Sequence, residues 1–141
     1  MKRFEDWDQR LAKILADRLD APFVWGTNDC CLFACDAIRA MTGHDPAEWF
    51  RGRYAKKESA YKLLKEFARG EILATTELIT QELGMREVQP AFAKRGDVAL
   101  IEGGLGQTLG VIDLTGMNVA APGAGGLEFF PIQKIIKAWS V

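Results

Sequence analysis

Apolar residues recur over the first twenty positions at spacings of three and four: Phe4, Trp7, Leu11, Ile14, Leu15 and Leu19. That period predicts an amphipathic first helix. Asp20-Ala21-Pro22 closes it, because the Pro22 ring disfavours helical geometry at Ala21. Phe23-Val24-Trp25-Gly26 reads as a short extended segment. Thr27, Asn28 and Asp29 then offer three N-cap residues before Cys30 to Met41, a stretch apolar on nearly every face. Such a helix belongs in the centre of a fold, and Gly43 stops it. A third helix is expected from Ser59 to Ala68 with Gly70 as its stop, and a fourth from Thr76 to Leu83 ending at Gly84.

Beyond Pro90 the period changes. Nine of the 14 glycines lie between Gly96 and Gly126. Between them stand short runs of β-formers: Val98–Ile101, Leu109–Ile112, Met117–Ala120 and Leu127–Phe130. Antiparallel strands joined by tight turns follow, with Gly103–Gly106 and Gly123–Gly126 as two of those turns. Ile132 to Trp139 closes the chain as a helix or a last strand, and periodicity does not choose between them. Helices first and strands second, in one unit over residues 1–141, is an α+β arrangement.

Composition narrows the function classes. The 141 residues are 48% hydrophobic, enough for one real core. With 18 Lys+Arg against 19 Asp+Glu the net charge is −1, which gives no general attraction to nucleic acid or anionic lipid. No apolar run is long enough for membrane insertion, and Met1 to Asp6 turns acidic where a secretory signal would turn apolar. Three cysteines in a domain of this size point to reduced thiols in the cytoplasm rather than a disulfide framework. The charge is unevenly spread: Arg51 to Arg69 holds seven basic and two acidic residues, while Gly96 to Gln133 holds four acidic and no basic ones. A solvated helix face over a mildly acidic sheet is the simplest reading; a basic surface that docks an acidic partner is the sharper one.

Candidate chemistry centres on Trp25-Gly26-Thr27-Asn28-Asp29-Cys30. A thiol in the first turn of a helix lies among unpaired backbone N–H groups that favour thiolate. The alternative is that Cys30, Cys31 and Cys35 are three small core residues. Cys31 and Cys35 share a helix face and read as core, whereas Cys30 is turned about 100° away. Trp25 is equally able to wall a groove beside Cys30 or to fill the core. No cofactor is expected, and no metal: Cys-Cys-x-x-x-Cys on one helix cannot converge three sulfurs around zinc. The only histidine, His44, belongs to a Gly43-His44-Asp45-Pro46 turn, roughly 20 Å from Cys30 along the helix.

Trp25-Gly26, Asp29-Cys30 at a helix start and Arg95-Gly96-Asp97-Val98 opening a glycine-rich β half resemble the NlpC-type papain-like cysteine peptidases. Those bacterial and phage enzymes cut the peptide stems of peptidoglycan. The whole chain resembles the short phage and prophage proteins of domain-of-unknown-function family 6950. Pro22–Gly26, Met41-Thr42-Gly43, Arg51-Gly52-Arg53-Tyr54, Leu109-Gly110-Val111 and Gly126–Phe129 also carry that likeness. The resemblance implies a papain-like domain with Cys30 at the nucleophile position. It aligns Thr108-Leu109-Gly110 with His-Val-Gly, so the expected catalytic histidine falls on Thr108. A threonine hydroxyl cannot take a proton near neutral pH as imidazole does. The implied function is therefore a phage tail-associated protein without efficient hydrolysis, made in the host cytoplasm and carried into the virion. Other tail proteins are its implied partners and peptidoglycan a candidate ligand. The alternative is an active peptidase, amidase or acyl transferase using Cys30 with an unusual base.

Overall fold

The computed structural model of the chain describes residues 1–68, 72–103 and 106–141. Among these, four helices pack with one six-stranded antiparallel sheet, an α+β fold. The helices are α1 (Trp7–Arg18), α2 (Cys30–Thr42), α3 (Lys57–Ala68) and α4 (Ile72–Glu82). The strands are β1 (Glu87–Val88), β2 (Val98–Gly103), β3 (Gly106–Ile112), β4 (Asn118–Gly123), β5 (Gly126–Pro131) and β6 (Ile135–Trp139), in the spatial order β1-β6-β2-β3-β4-β5. The open end of the sequence reading resolves as a strand: Ile132–Lys134 makes one 3₁₀ turn, and β6 then pairs with both β1 and β2.

The central helix forms where its sequence pattern places it. Asp29 caps it by accepting the Leu32 N–H, and Gly43 ends it at φ +79°, a left-handed conformation that glycine adopts without strain. Eight of its 13 residues are buried. One side of α2 (Cys30, Phe33, Ala34, Ala37, Met41) packs with Leu11 of α1 onto Val98, Leu100, Leu109, Val111 and Trp139 of the sheet. Its other side, Leu32 and Cys35, packs on Ala47, Phe50 and Leu63. Wrapped on both sides, α2 is the axis of the molecule.

Alternation in β2 and β3 splits their residues between two clusters. Leu100 and Leu109 pair and face α2, while Ile101 and its partner Thr108 lie on the far face, where Ile101 joins Ala99, Ile112, Val119 and Ala138. The Gly123–Gly126 turn closes the β4–β5 hairpin as the sequence suggests, with Gly123 opposite Gly126. Gly103 pairs with Gly106 in the same way; Gly104 and Leu105 between them lie outside the described residues, as does Gly70, the expected stop of α3.

Several elements differ from the sequence reading; β3 begins at Gly106, three residues before Leu109, and β4 runs on to Gly123. α3 starts two residues before Ser59, and α4 one turn before Thr76, at Ile72. β1 has no counterpart in the sequence pattern: two residues cannot show a period, and only pairing with Ala138 and Trp139 makes them a strand. No helix among the described residues is long and apolar enough to cross a membrane.

A buried carboxylate fastens the chain ends to the sheet. Asp97, fully buried, accepts from Arg3 Nη2 at 2.9 Å, from the Lys94 N–H at 3.0 Å and from the Val141 N–H at 3.2 Å. Arg3 also donates to the carbonyls of Val141 and Arg95, both at 2.8 Å, and its guanidinium lies 4.2 Å from the centre of the Trp7 ring. The Gly-Asp pair that opens β2 is thus a clasp.

Candidate functional site

The loop before α2 is built to hold the helix start. The Asn28 side chain donates to the carbonyls of Ala21 and Pro22 and accepts from Arg18, so it staples the loop instead of capping the helix. Asp29 is the cap, and it does more. Its Oδ1 accepts from Leu32 N–H at 2.9 Å, and its Oδ2 accepts from Gly26 N–H at 3.0 Å and the Tyr54 hydroxyl at 2.5 Å. Gly26 stands at φ +78°, and a Cβ there would sit 2.1 Å from the Tyr54 carbonyl oxygen. Glycine is therefore required at this close approach, and the Trp25-Gly26 turn and Tyr54 form one unit. Burial, followed by the bond to Asp29, pushes the Tyr54 phenol well above its ordinary range, so it remains a donor.

Cys30 begins α2 at the edge of this unit and is 9% exposed. The Cys31 thiol, the Leu109 backbone N–H and the Cys31 N–H favour its thiolate, against burial and the nearby Asp29 carboxylate. On balance the Cys30 thiol lies below its ordinary range. Burial alone raises a thiol pKa, and the donor that tips the balance here is the neighbouring cysteine. Cys31 is correspondingly pushed well up, by its bond to Cys30 and by burial. Of the two adjacent thiols, Cys30 is held lower and Cys31 higher than an ordinary thiol. Cys31 is thus not plain core, whereas Cys35 is: it is buried against Phe50 and Leu63, and burial pushes its thiol up.

β3 packs against the start of α2: Leu109 shares a cluster with Cys30, and its N–H is among the groups that favour the Cys30 thiolate. The pleat decides which side chain faces it. Leu109 packs in the cluster that contains Cys30, and Thr108, opposite Ile101, is turned to the far face. Asp113 lies at the end of β3 and spends its carboxylate on a turn, accepting from Thr115 N–H and hydroxyl and from Asn118. His44 is exposed beyond the other end of α2. Among the described residues no group of His, Cys, Asp or Glu could hold a metal ion.

A cleft of about 60 Å³ opens over the two thiols. Trp25, Trp49, Tyr54 and Tyr61 line it, with Ile72 and Thr75 of α4 closing one side. Trp25 is therefore a wall of this groove, with its ring 4.8 Å from Phe23 and 6.3 Å from Tyr61. Sequence reasoning missed Cys31, whose spacing said core, and Tyr54, which carried only the Arg-Gly-Arg-Tyr likeness. Behind α2 the loop bearing Tyr54 is anchored by a charge chain. Arg51 donates to Asp36 at 2.7 Å and to Asp45 at 3.0 Å, and Arg18 reaches Asp36 at 2.7 Å.

No curated protein matches the chain. The family model described as Domain of unknown function (DUF6950) matches residues 2–141, and the chain belongs to that family.

Proposed function

We propose that this protein is a phage tail-associated component built on an NlpC-type, papain-like fold, with a cysteine cleft that binds rather than efficiently hydrolyses. The observation that carries the proposal is the residue facing Cys30 from β3: it is Leu109, an aliphatic side chain, where hydrolysis needs a base. Around the thiol stand Cys31, Asp29 and Tyr54, and none of them does the work of an imidazole. Asp29 is engaged by three donors and Tyr54 is held as a donor. The NlpC likeness draws support from Asp29-Cys30 at the start of a central helix packed on an antiparallel sheet. The tail context, with synthesis in the host cytoplasm and incorporation into the virion, rests on the resemblance to phage and prophage proteins.

The test is incubation of the purified protein with peptidoglycan stem peptides, followed by chromatography of the products. No cleavage above that of Cys30→Ala is expected; cleavage that Cys30→Ala abolishes refutes the reading. Detection of the protein in tails of purified virions tests the location, and its absence there refutes that part.

The lowered Cys30 thiol favours a second reading, a thiol enzyme such as an acyl transferase. It predicts alkylation of Cys30 by iodoacetamide at pH 7 faster than of a free model thiol. A rate equal to or below the model thiol removes it.

A further inference from the structure

The cleft over Cys30 has a basic, aromatic rim, and this combination specifies a ligand. Tyr61 on α3 lines the cleft and is 41% exposed. Lys57 and Lys65 stand one helical turn before and after it, on the same ridge of the helix. The Lys57 ammonium lies 5.9 Å from the centre of the Tyr61 ring. Lys56 and Lys62 are exposed nearby, and among the described residues none of these four lysines carries an ion pair. Exposed Glu58 is the acidic residue of the first turn of α3, so the ridge remains cationic. The acid within the cleft, Asp29, is already engaged by Tyr54 and two backbone N–H groups. The interior below the rim is apolar, and its volume of about 60 Å³ accommodates roughly four water-sized atoms, the size of a leucine side chain.

We propose that this cleft captures an acidic linear segment of a partner protein, with one leucine inserted into the cleft beside Trp25 and Tyr61 and flanking carboxylates on Lys57 and Lys65. Cationic rims set the approach and the charge specificity, while burial of the aliphatic anchor holds the segment in place. This inference rests on the reading of the cleft as a binding site, and binding and cleavage are read separately below.

A fluorescein-labelled Glu-Asp-Leu-Glu-Asp peptide titrated with the full chain tests it by polarisation. Saturable binding is expected at low salt, weakening about tenfold by roughly 0.3 M salt as exposed charge pairs are screened. Replacing the peptide leucine by serine, its acids by lysine, or Lys57 and Lys65 together by glutamate should each weaken binding about tenfold. Bound peptide should also slow iodoacetamide labelling of Cys30, which places the ligand in the cleft without any variant. Three outcomes overturn the proposal: no saturation up to about 1 mM peptide, equal binding of the acidic and lysine peptides, or Cys30 labelling that is indifferent to saturating peptide. Displacement by a soluble peptidoglycan stem peptide at lower concentration than by unlabelled acidic peptide reassigns the cleft to cell wall and likewise overturns it. Cleavage of the bound probe refutes the non-hydrolytic reading while leaving capture intact.

Discussion

Replacing Asp97 by alanine should be the most costly single change outside the apolar core. The substitution removes the acceptor of three donors at once: the Arg3 guanidinium, the Lys94 N–H and the Val141 N–H. The Arg3 side chain is only 17% exposed, so its charge is left largely without water or counterion. Removing one partner of such a pair costs about 3–5 kcal/mol. Lys94 is exposed and Val141 half-buried, so water replaces part of what their N–H groups lose, and the lower end, about 3 kcal/mol, is expected. Against a total stability of about 5–15 kcal/mol this is a large fraction. With a urea slope of about 2 kcal/mol/M it lowers the unfolding midpoint by roughly 1.5 M. Urea titrations of the parent, Asp97→Ala, Arg3→Ala and the double variant form the assay. The two single effects should fail to add by at least about 1 kcal/mol, since they break the same contact. A cost below about 1 kcal/mol for Asp97→Ala, or additivity within about 0.3–0.5 kcal/mol, refutes the clasp.

Three further changes probe the site. The rate of Cys30 alkylation follows its thiolate fraction, so the pH midpoint should lie below that of a free thiol; Cys31→Ala, which deletes the first donor, should raise it, and Cys31→Ser should restore most of the shift. An unchanged midpoint in Cys31→Ala contradicts the role of the Cys31 thiol in lowering Cys30. Tyr54→Phe deletes the hydroxyl from Asp29 and should cost about 1–3 kcal/mol in thermal or urea unfolding, with the alkylation rate of Cys30 rising as the cleft wall loosens. Thr108→His places its imidazole on the far face of the sheet and should leave the Cys30 alkylation profile as in the parent, whereas Leu109→His should shift it; the reverse result refutes the β3 register.

The fold was legible wherever a period ran long enough. α2, with its Asp29 cap and Gly43 stop, and the β4–β5 hairpin with its glycine turn follow directly from local sequence. What stayed hidden depends on contacts distant along the chain. Asp97 reads as one carboxylate after a glycine, yet its partners lie 94 and 44 residues away. Tyr54 is 25 residues from Asp29, and nothing in either neighbourhood announces the bond. Cys30 was legible as a helix-start thiol, but its ionisation depends on Cys31, whose own helical spacing points to the core. The alignment of Thr108 with a histidine reads a motif as a string. The pleat reads it in three dimensions and presents Leu109 to the thiol instead.

The strand order has a consequence for how the molecule comes into being. β6 follows every other element in sequence, yet it lies between β1 and β2, and its Trp139 is buried in the main core beside α2. During synthesis β2 to β5 can close by hairpins as they emerge, because their pairings are between neighbours. β1 cannot join the sheet, nor the Asp97 clasp gain its Val141 contact, until β6 has left the ribosome. Until then β2 is a bare apolar edge, the kind of surface that recruits other chains. Such late, non-local pairings slow folding, so a nascent chain stalled before Ile135 would hold its helices and its meander but present the open edge of β2 to its surroundings.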